Sequence, residues 1–288
     1  MAAGFRNIRS FVDAYDEGKV KFSTWRKSPS QTTVTGIWFD LSMSPGNPIP
    51  NYYASSPYVA ATLNGNEGIF HGGAVSPSKK YLKTFMAMTG VATGLSMRMI
   101  VCDYLLYYPF VDMGTNDDQP MTNSTTLPRY TDGEGVQVMA VMTNPQVAGG
   151  VTFNFDYTNQ DGTSGRTSGT VTCNTATAIG SLINTAPATA GASSPFIPLA
   201  SGDTGVRSID TVRMVAGSDV GLICFVLVKP LAVHSIREIT APVETDFMTA
   251  AGLSLPEVKD GAYLNAICLP QGSLAATPIH GYAEFIWS

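Results

Sequence analysis

From residue 151 to 158 the chain reads VTFNFDYT, with Val151, Phe153, Phe155 and Tyr157 on one side of an extended backbone and Thr152, Asn154, Asp156 and Thr158 on the other. A period of two predicts a strand with one buried and one wet face. Strand-like runs recur at TVTGIWFDL (33–41), MRMIVCDYLLYY (97–108), GVQVMAVMT (135–143), GTVTC (169–173), SIDTVRMV (208–215), VGLICFVLV (220–228), AYLNAICL (262–269) and GYAEFIW (281–287). The run at 220–228 is apolar on both faces and predicts a central strand covered on each side. Helical spacing is confined to two places. Phe5, Ile8, Phe11, Val12 and Tyr15 predict one short amphipathic helix, ended by Gly18 in the left-handed conformation. A second helix is expected over 76–90, with Ser76 as N-cap, Pro77 at the first helical position, Tyr81, Leu82, Phe85 and Met86 on one face, and Gly90 as terminator. Many strands without a βαβ rhythm predict a mainly β protein: an antiparallel β-sandwich or jelly-roll-like barrel with one or two short helices and long ordered loops. The expected organisation is an N-terminal helix or arm over 1–20 and one large β domain over 21–288, with 110–135 as the place where it would subdivide.

Three long polar connections, 42–57, 114–135 and 184–205, separate the strands. Connections beyond about 12 to 15 residues are uncommon in compact domains unless they are functional or disordered. Tyr52, Tyr53, Tyr58, Phe196 and Ile197 lie in these connections among prolines, where contact with a partner subunit would order them. Together with Asp161, Arg166 and the closing Trp287 they form the candidate interface.

Composition narrows the classes. A chain of 288 residues, with 44% hydrophobic and 14% charged residues, 28 Gly and 18 Pro, can bury a sizeable core and is rich in turn-forming material. A net charge of -5 and the lack of any Lys or Arg run argue against direct nucleic-acid binding. No run reaches the roughly 18 apolar residues of a membrane span, and the N-terminus has no apolar h-region, so neither a membrane nor a signal peptide is expected. Cys102, Cys173, Cys224 and Cys268 stand far apart inside strand-like runs and are expected as buried free thiols rather than disulfides.

Candidate chemistry is sparse. His71, His234 and His280 occur singly in HGG, AVHSIRE and PIHGY, without metal-set or triad spacing. No GxSxG elbow, HExxH pair, Walker A loop or GxGxxG after a strand is present. Asp117 with Asp118, and Asp132 with Glu134, place hard ligands on loops but lack the oxygen ladder of an EF-hand, so they are expected as solvated acids. One cluster, DGTSGR at 161–166, has the Asp, Ser, Arg and glycines of a phosphate or substrate site. The alternation on either side makes it a hairpin tip instead: Asp161-Gly162 is a turn signal, Gly165 a second position for positive φ, and Val171 with Cys173 the return strand. Arg166 is left over and is expected to fork onto a carboxylate or a carbonyl of its own or a neighbouring chain. No catalytic residue, cofactor or metal site is assigned.

The hairpin tip YTNQDGTSGRTS (157–168) resembles the YTNQDGxxGRT tip that recurs in virion structural proteins of tailed bacteriophages. WFDLSMSPGNPIPNYY, CDYLLYYPFVDM and the closing FIWS are similar in character. The resemblance implies a non-enzymatic particle component, found in the virion after assembly in the host cytoplasm, with the major capsid protein and other virion proteins as partners. A shell protein of the common tailed-phage fold calls for a spine helix of about 20 or more residues, against a longest helical pattern of about 13 here. An all-β body with Pro-rich loops fits better an auxiliary decoration or cement protein that bridges capsomers as a dimer or trimer and adds interface area to the assembled state. Two rivals stay open: a tail-associated or receptor-binding module whose loop 51–57 binds host glycan, and a polysaccharide hydrolase with a carboxylate pair about 5 to 9.5 Å apart.

Overall fold

The computed structural model describes residues 4–174, 178–183, 194–249 and 255–288. One α-helix, α1 (Ile8–Asp16), precedes ten main strands: β1 (Val20–Lys27), β2 (Lys80–Thr89), β3 (Met97–Asp112), β4 (Gln137–Asn144), β5 (Thr152–Asn159), β6 (Val206–Ala216), β7 (Leu222–Ile236), β8 (Val243–Asp246), β9 (Tyr263–Leu269) and β10 (Ile279–Trp287). Short two-residue strands complete three antiparallel sheets. The central sheet runs Phe39–Asp40, β9, β3, β7, β4, with Ala61–Thr62 on β3. A second sheet runs β8, β2, β10, β1, Gly46–Asn47, and a third runs Arg166–Thr167, β5, β6, Gln119–Pro120.

The central sheet reaches both of the others because β3 and β7 are long. Near one end, Tyr108 and Val111 of β3 and Phe225 and Leu227 of β7 pack against Phe153, Phe155 and Tyr157 of the third sheet. Near the other end, Met97, Met99 and Val101 of β3 and Ala232 and Ile236 of β7 pack against Leu82, Phe85 and Phe285 of the second. Register shifts between Leu227 and Val228 and between Pro230 and Ala232 lie between the two cores. Such bulges bend a sheet. The alternate residues Cys224, Val226 and Val228 point the other way, where Trp38, Met43, Tyr53, Leu63 and Leu182 cover them from segments outside the main strands. Residues 223–228 are therefore buried on both faces, as their apolar run predicts. In β5 the burial alternates residue by residue, with Phe153, Phe155 and Tyr157 inside.

At the N-terminus, α1 is closed by a capping box between Asn7 and Ser10, and Gly18 follows at φ 71°. Phe11 and Ala14 bury against Ile286 of β10. The helix expected over 76–90 is instead strand β2, paired along its length with β10. The reason is a register shift between the Thr84–Glu284 and Leu82–Phe285 pairs, which turns both Leu82 and Phe85 into the core. Three-residue spacing from a bulge imitates the spacing of a helix. Of 33–41 only Phe39–Asp40 is strand, because Gly36 turns the chain at φ 80° and the Thr33 hydroxyl donates to the Gly272 carbonyl at 2.8 Å. All four cysteines are free and buried. No described helix is long and apolar enough to cross a membrane.

The DGTSGR cluster is a hairpin tip, with Gly162 at φ 79° and Gly165 at φ 70°. Asn159, rather than Asp161, organises it: Asn159 Oδ1 accepts from the N–H groups of Asp161 at 3.0 Å and Thr163 at 2.9 Å. Of the connection at 184–205, residues 184–193 lie outside the described residues.

Candidate functional site

The eight candidate interface residues do not converge. Tyr52 is 61% exposed, and Asp161 stands exposed at the hairpin tip. Tyr58, Phe196 and Trp287 are half-buried. Tyr53 and Ile197 belong to the chain's own core at 1% exposure each, so the expectation that they face a partner subunit is corrected: the cores under the loops are filled by loop aromatics and aliphatics. Arg166 forks within its own chain, Nε donating to Asp203 Oδ2 at 2.9 Å and the guanidinium to the Ser201 carbonyl at 3.3 Å. Asp203 also accepts from Tyr157 and Asn159, and the Arg166 guanidinium beside it holds its carboxyl down at about 2.

What does converge lies under the loop at 40–53. Asp40 ends a strand and caps the 3-10 turn Leu41–Met43, and its carboxylate is fully buried. One oxygen accepts from the Ser42 N–H at 2.8 Å and the Tyr104 hydroxyl at 2.8 Å, the other from the Ser42 hydroxyl at 2.7 Å and the Tyr53 hydroxyl at 2.5 Å. Burial pushes this carboxyl up and the four donors pull it back. Burial also raises the Tyr53 and Tyr104 hydroxyls well above their ordinary range. Lys27, 1% exposed, enters from β1 and donates to the carbonyls of Pro48 at 2.7 Å, Ser44 at 3.1 Å and Ser42 at 3.4 Å. Burial lowers its ammonium to about 8, opposed by the charge of Asp40. An acid and an amine thus tie down successive turns of one loop.

Above this hub lies a cavity of about 270 Å³ whose wall includes Ser30, Gln31, Phe39, Ser44, Tyr52 and Thr143. Asn51 Oδ1 accepts from the Tyr53 N–H at 3.1 Å, and Tyr53 takes φ 51°, so the chain reverses there with Tyr53 turned in and Tyr52 turned out. The sequence carries one legible hint of the hub, an Asp two residues before a Ser at the end of an apolar run, which is an N-cap pattern. It carries none for Lys27.

Two further buried clusters hold other loops. Arg129 donates to both oxygens of Asp103, at 2.9 and 2.7 Å, and to the carbonyls of Leu63 at 3.2 Å and Tyr104 at 2.9 Å. Lys80 donates to His71 Nδ1 at 3.0 Å and to the Gly73 carbonyl at 2.7 Å. That places the imidazole proton on Nε2, which donates to the Ala262 carbonyl at 3.0 Å. His234 is buried with Nδ1 at 2.9 Å from the Thr245 hydroxyl, and His280 is half-buried on β10, so the three histidines remain apart. Among the described residues no group of three or more His, Cys, Asp or Glu is arranged to hold a metal ion.

No family model and no curated protein matches the chain. Among solved structures, the crystal structure of infectious bursal disease virus VP2 subviral particle aligns over 93% of this chain and 81% of its own, at 9% identity and a TM-score of 0.14. A likeness at that level carries no statement about fold or function.

Proposed function

We propose that this chain is a non-enzymatic structural component of a bacteriophage particle, a decoration or cement protein that bridges capsomers and adds buried area to the assembled shell. The observation that carries the reading is the fixing of its loops from beneath by buried charges, Lys27 and Asp40 under 40–53 and Asp103 with Arg129 under 63 and 129. A protein that works by adding contacts gains from loops ordered before binding, because the ordering entropy is not charged to the interface. The same hydrogen bonds engage the carboxylates of Asp40 and Asp103. The resemblance of the 157–168 tip supplies the particle, and α1, nine residues long, lends no support to a shell protein built on a spine helix.

Particles made without this protein test the reading. Shells are expected to assemble at normal yield and to release DNA at lower temperature, or sooner in low salt, than complete particles; unchanged heat resistance would overturn it. Copy number in purified particles separates the neighbouring reading: hundreds of copies accord with a head position, whereas six to a few dozen, roughly the numbers symmetry allows a tail, point to a tail-associated module.

A further inference from the structure

We infer that the cavity beside Tyr52 is a binding site for one neutral saccharide residue. Its volume of about 270 Å³ lies just below the roughly 300 to 1,000 Å³ of pockets for drug-sized ligands, which suits a single small ring. Its wall holds no charged side chain; Ser30, Gln31 and Thr143 offer hydroxyl and amide groups over an apolar floor that includes Phe39. A charged ligand would lose its hydration there without gaining a counter-charge, whereas a ring of hydroxyls on a carbon frame matches both parts of the wall.

Ser44 lines the cavity with its hydroxyl oxygen shut away from it. The residue is 3% exposed and its Oγ has no hydrogen-bond partner among the described residues. Its backbone is already engaged, the N–H with the Leu41 carbonyl at 3.0 Å and the carbonyl with Lys27 at 3.1 Å. Tyr52 supplies the aromatic side of the recognition. Its ring stands exposed at the cavity wall, on a loop whose next residue, Tyr53, is tied to Asp40, and offers a flat apolar face of the kind that meets the C–H face of a pyranose. The sequence offers loop 51–57 with two aromatics for glycan binding; the fold leaves Tyr52 alone to do it, because Tyr53 lies in the core.

The test uses the purified full chain with methyl glycosides of glucose, galactose, mannose and N-acetylglucosamine, and with glucuronate as a charged control, read by saturation-transfer NMR and titration. At least one neutral glycoside is expected to bind in the millimolar range and glucuronate not to compete. Tyr52→Ala is expected to weaken binding tenfold or more. The variant should keep the wild-type urea midpoint, since Tyr52 is exposed. Failure of all four neutral glycosides, or equal binding by Tyr52→Ala, overturns the site. Neither result bears on the heat resistance of particles, so this inference and the particle role fail separately.

Discussion

Asp40→Asn keeps the side-chain volume but replaces one acceptor oxygen with an amide that must face donors in a fully buried site. Hydrogen bonds to a charged group contribute about 1.5–3 kcal/mol, so the variant is expected to lose about 2–4 kcal/mol by urea denaturation, and Tyr53→Phe, which removes one donor of four, about 1–2 kcal/mol. The buried histidines set a pH dependence. Burial, with Lys80 adding to it at His71, lowers His71 and His234 from 6.5 to about 4. His71 also faces Asp260 and Arg129, and His234 faces Thr245 and Phe85. Between pH 6.5 and 4 the unfolded chain binds the protons that the folded chain refuses, so the contribution of each is complete above 6.5 and is lost as pH falls toward 4. The loss is on the order of 3 kcal/mol for each histidine, and it should shrink in a His234→Gln variant when melting temperature is followed across that window. Little of this was legible in the residues as letters. Asp40 and Lys27 sit in WFDLSM and WRKSP like any charged residue near a strand end, and only the chain's return from far away in sequence makes them a buried pair of ties.

Among the elements, β5 and the apolar stretch of β7 could be read directly, and β1 and β2 could not. β5 and the apolar stretch of β7 follow their periods, whereas β2 carries a bulge beside Lys83 and was expected as a helix. β1 has no legible period, because its inward residues are Trp25 and Lys27, a pairing that hydrophobic periodicity does not register. β10 contains a further constraint. A Cβ placed on Gly281 would fall on the Met86 carbonyl oxygen of β2, which as backbone cannot step aside. Gly281→Ala should therefore open the β2–β10 ladder, costing about 2–3 kcal/mol. Hydrogen exchange is expected to show faster exchange at the amides of β2 and β10 before those of β5; uniform exchange would refute a local clash.

Across the whole molecule, β3 and β7 thread two hydrophobic cores, so neither core can be dismantled without losing strands of the other. Calorimetry is expected to show one transition. Arg129→Met leaves Asp103 buried without its cation and should lower stability by about 3–5 kcal/mol while keeping that single transition; two separated transitions would show that the cores unfold independently. Mainly β architecture and antiparallel pairing were legible from alternation and turn residues. The division into three sheets was not, because it depends on strands long enough to be shared and on bulges that no local pattern announces. The third sheet ends in a hairpin whose tip, 161–165, is exposed throughout and closed by Asn159 from within the strand. A short epitope inserted between Ser164 and Gly165 would thus be carried like a flag on a pole, leaving the fold intact, and, under the proposed particle role, antibody access to it on purified particles would report which way the protein faces.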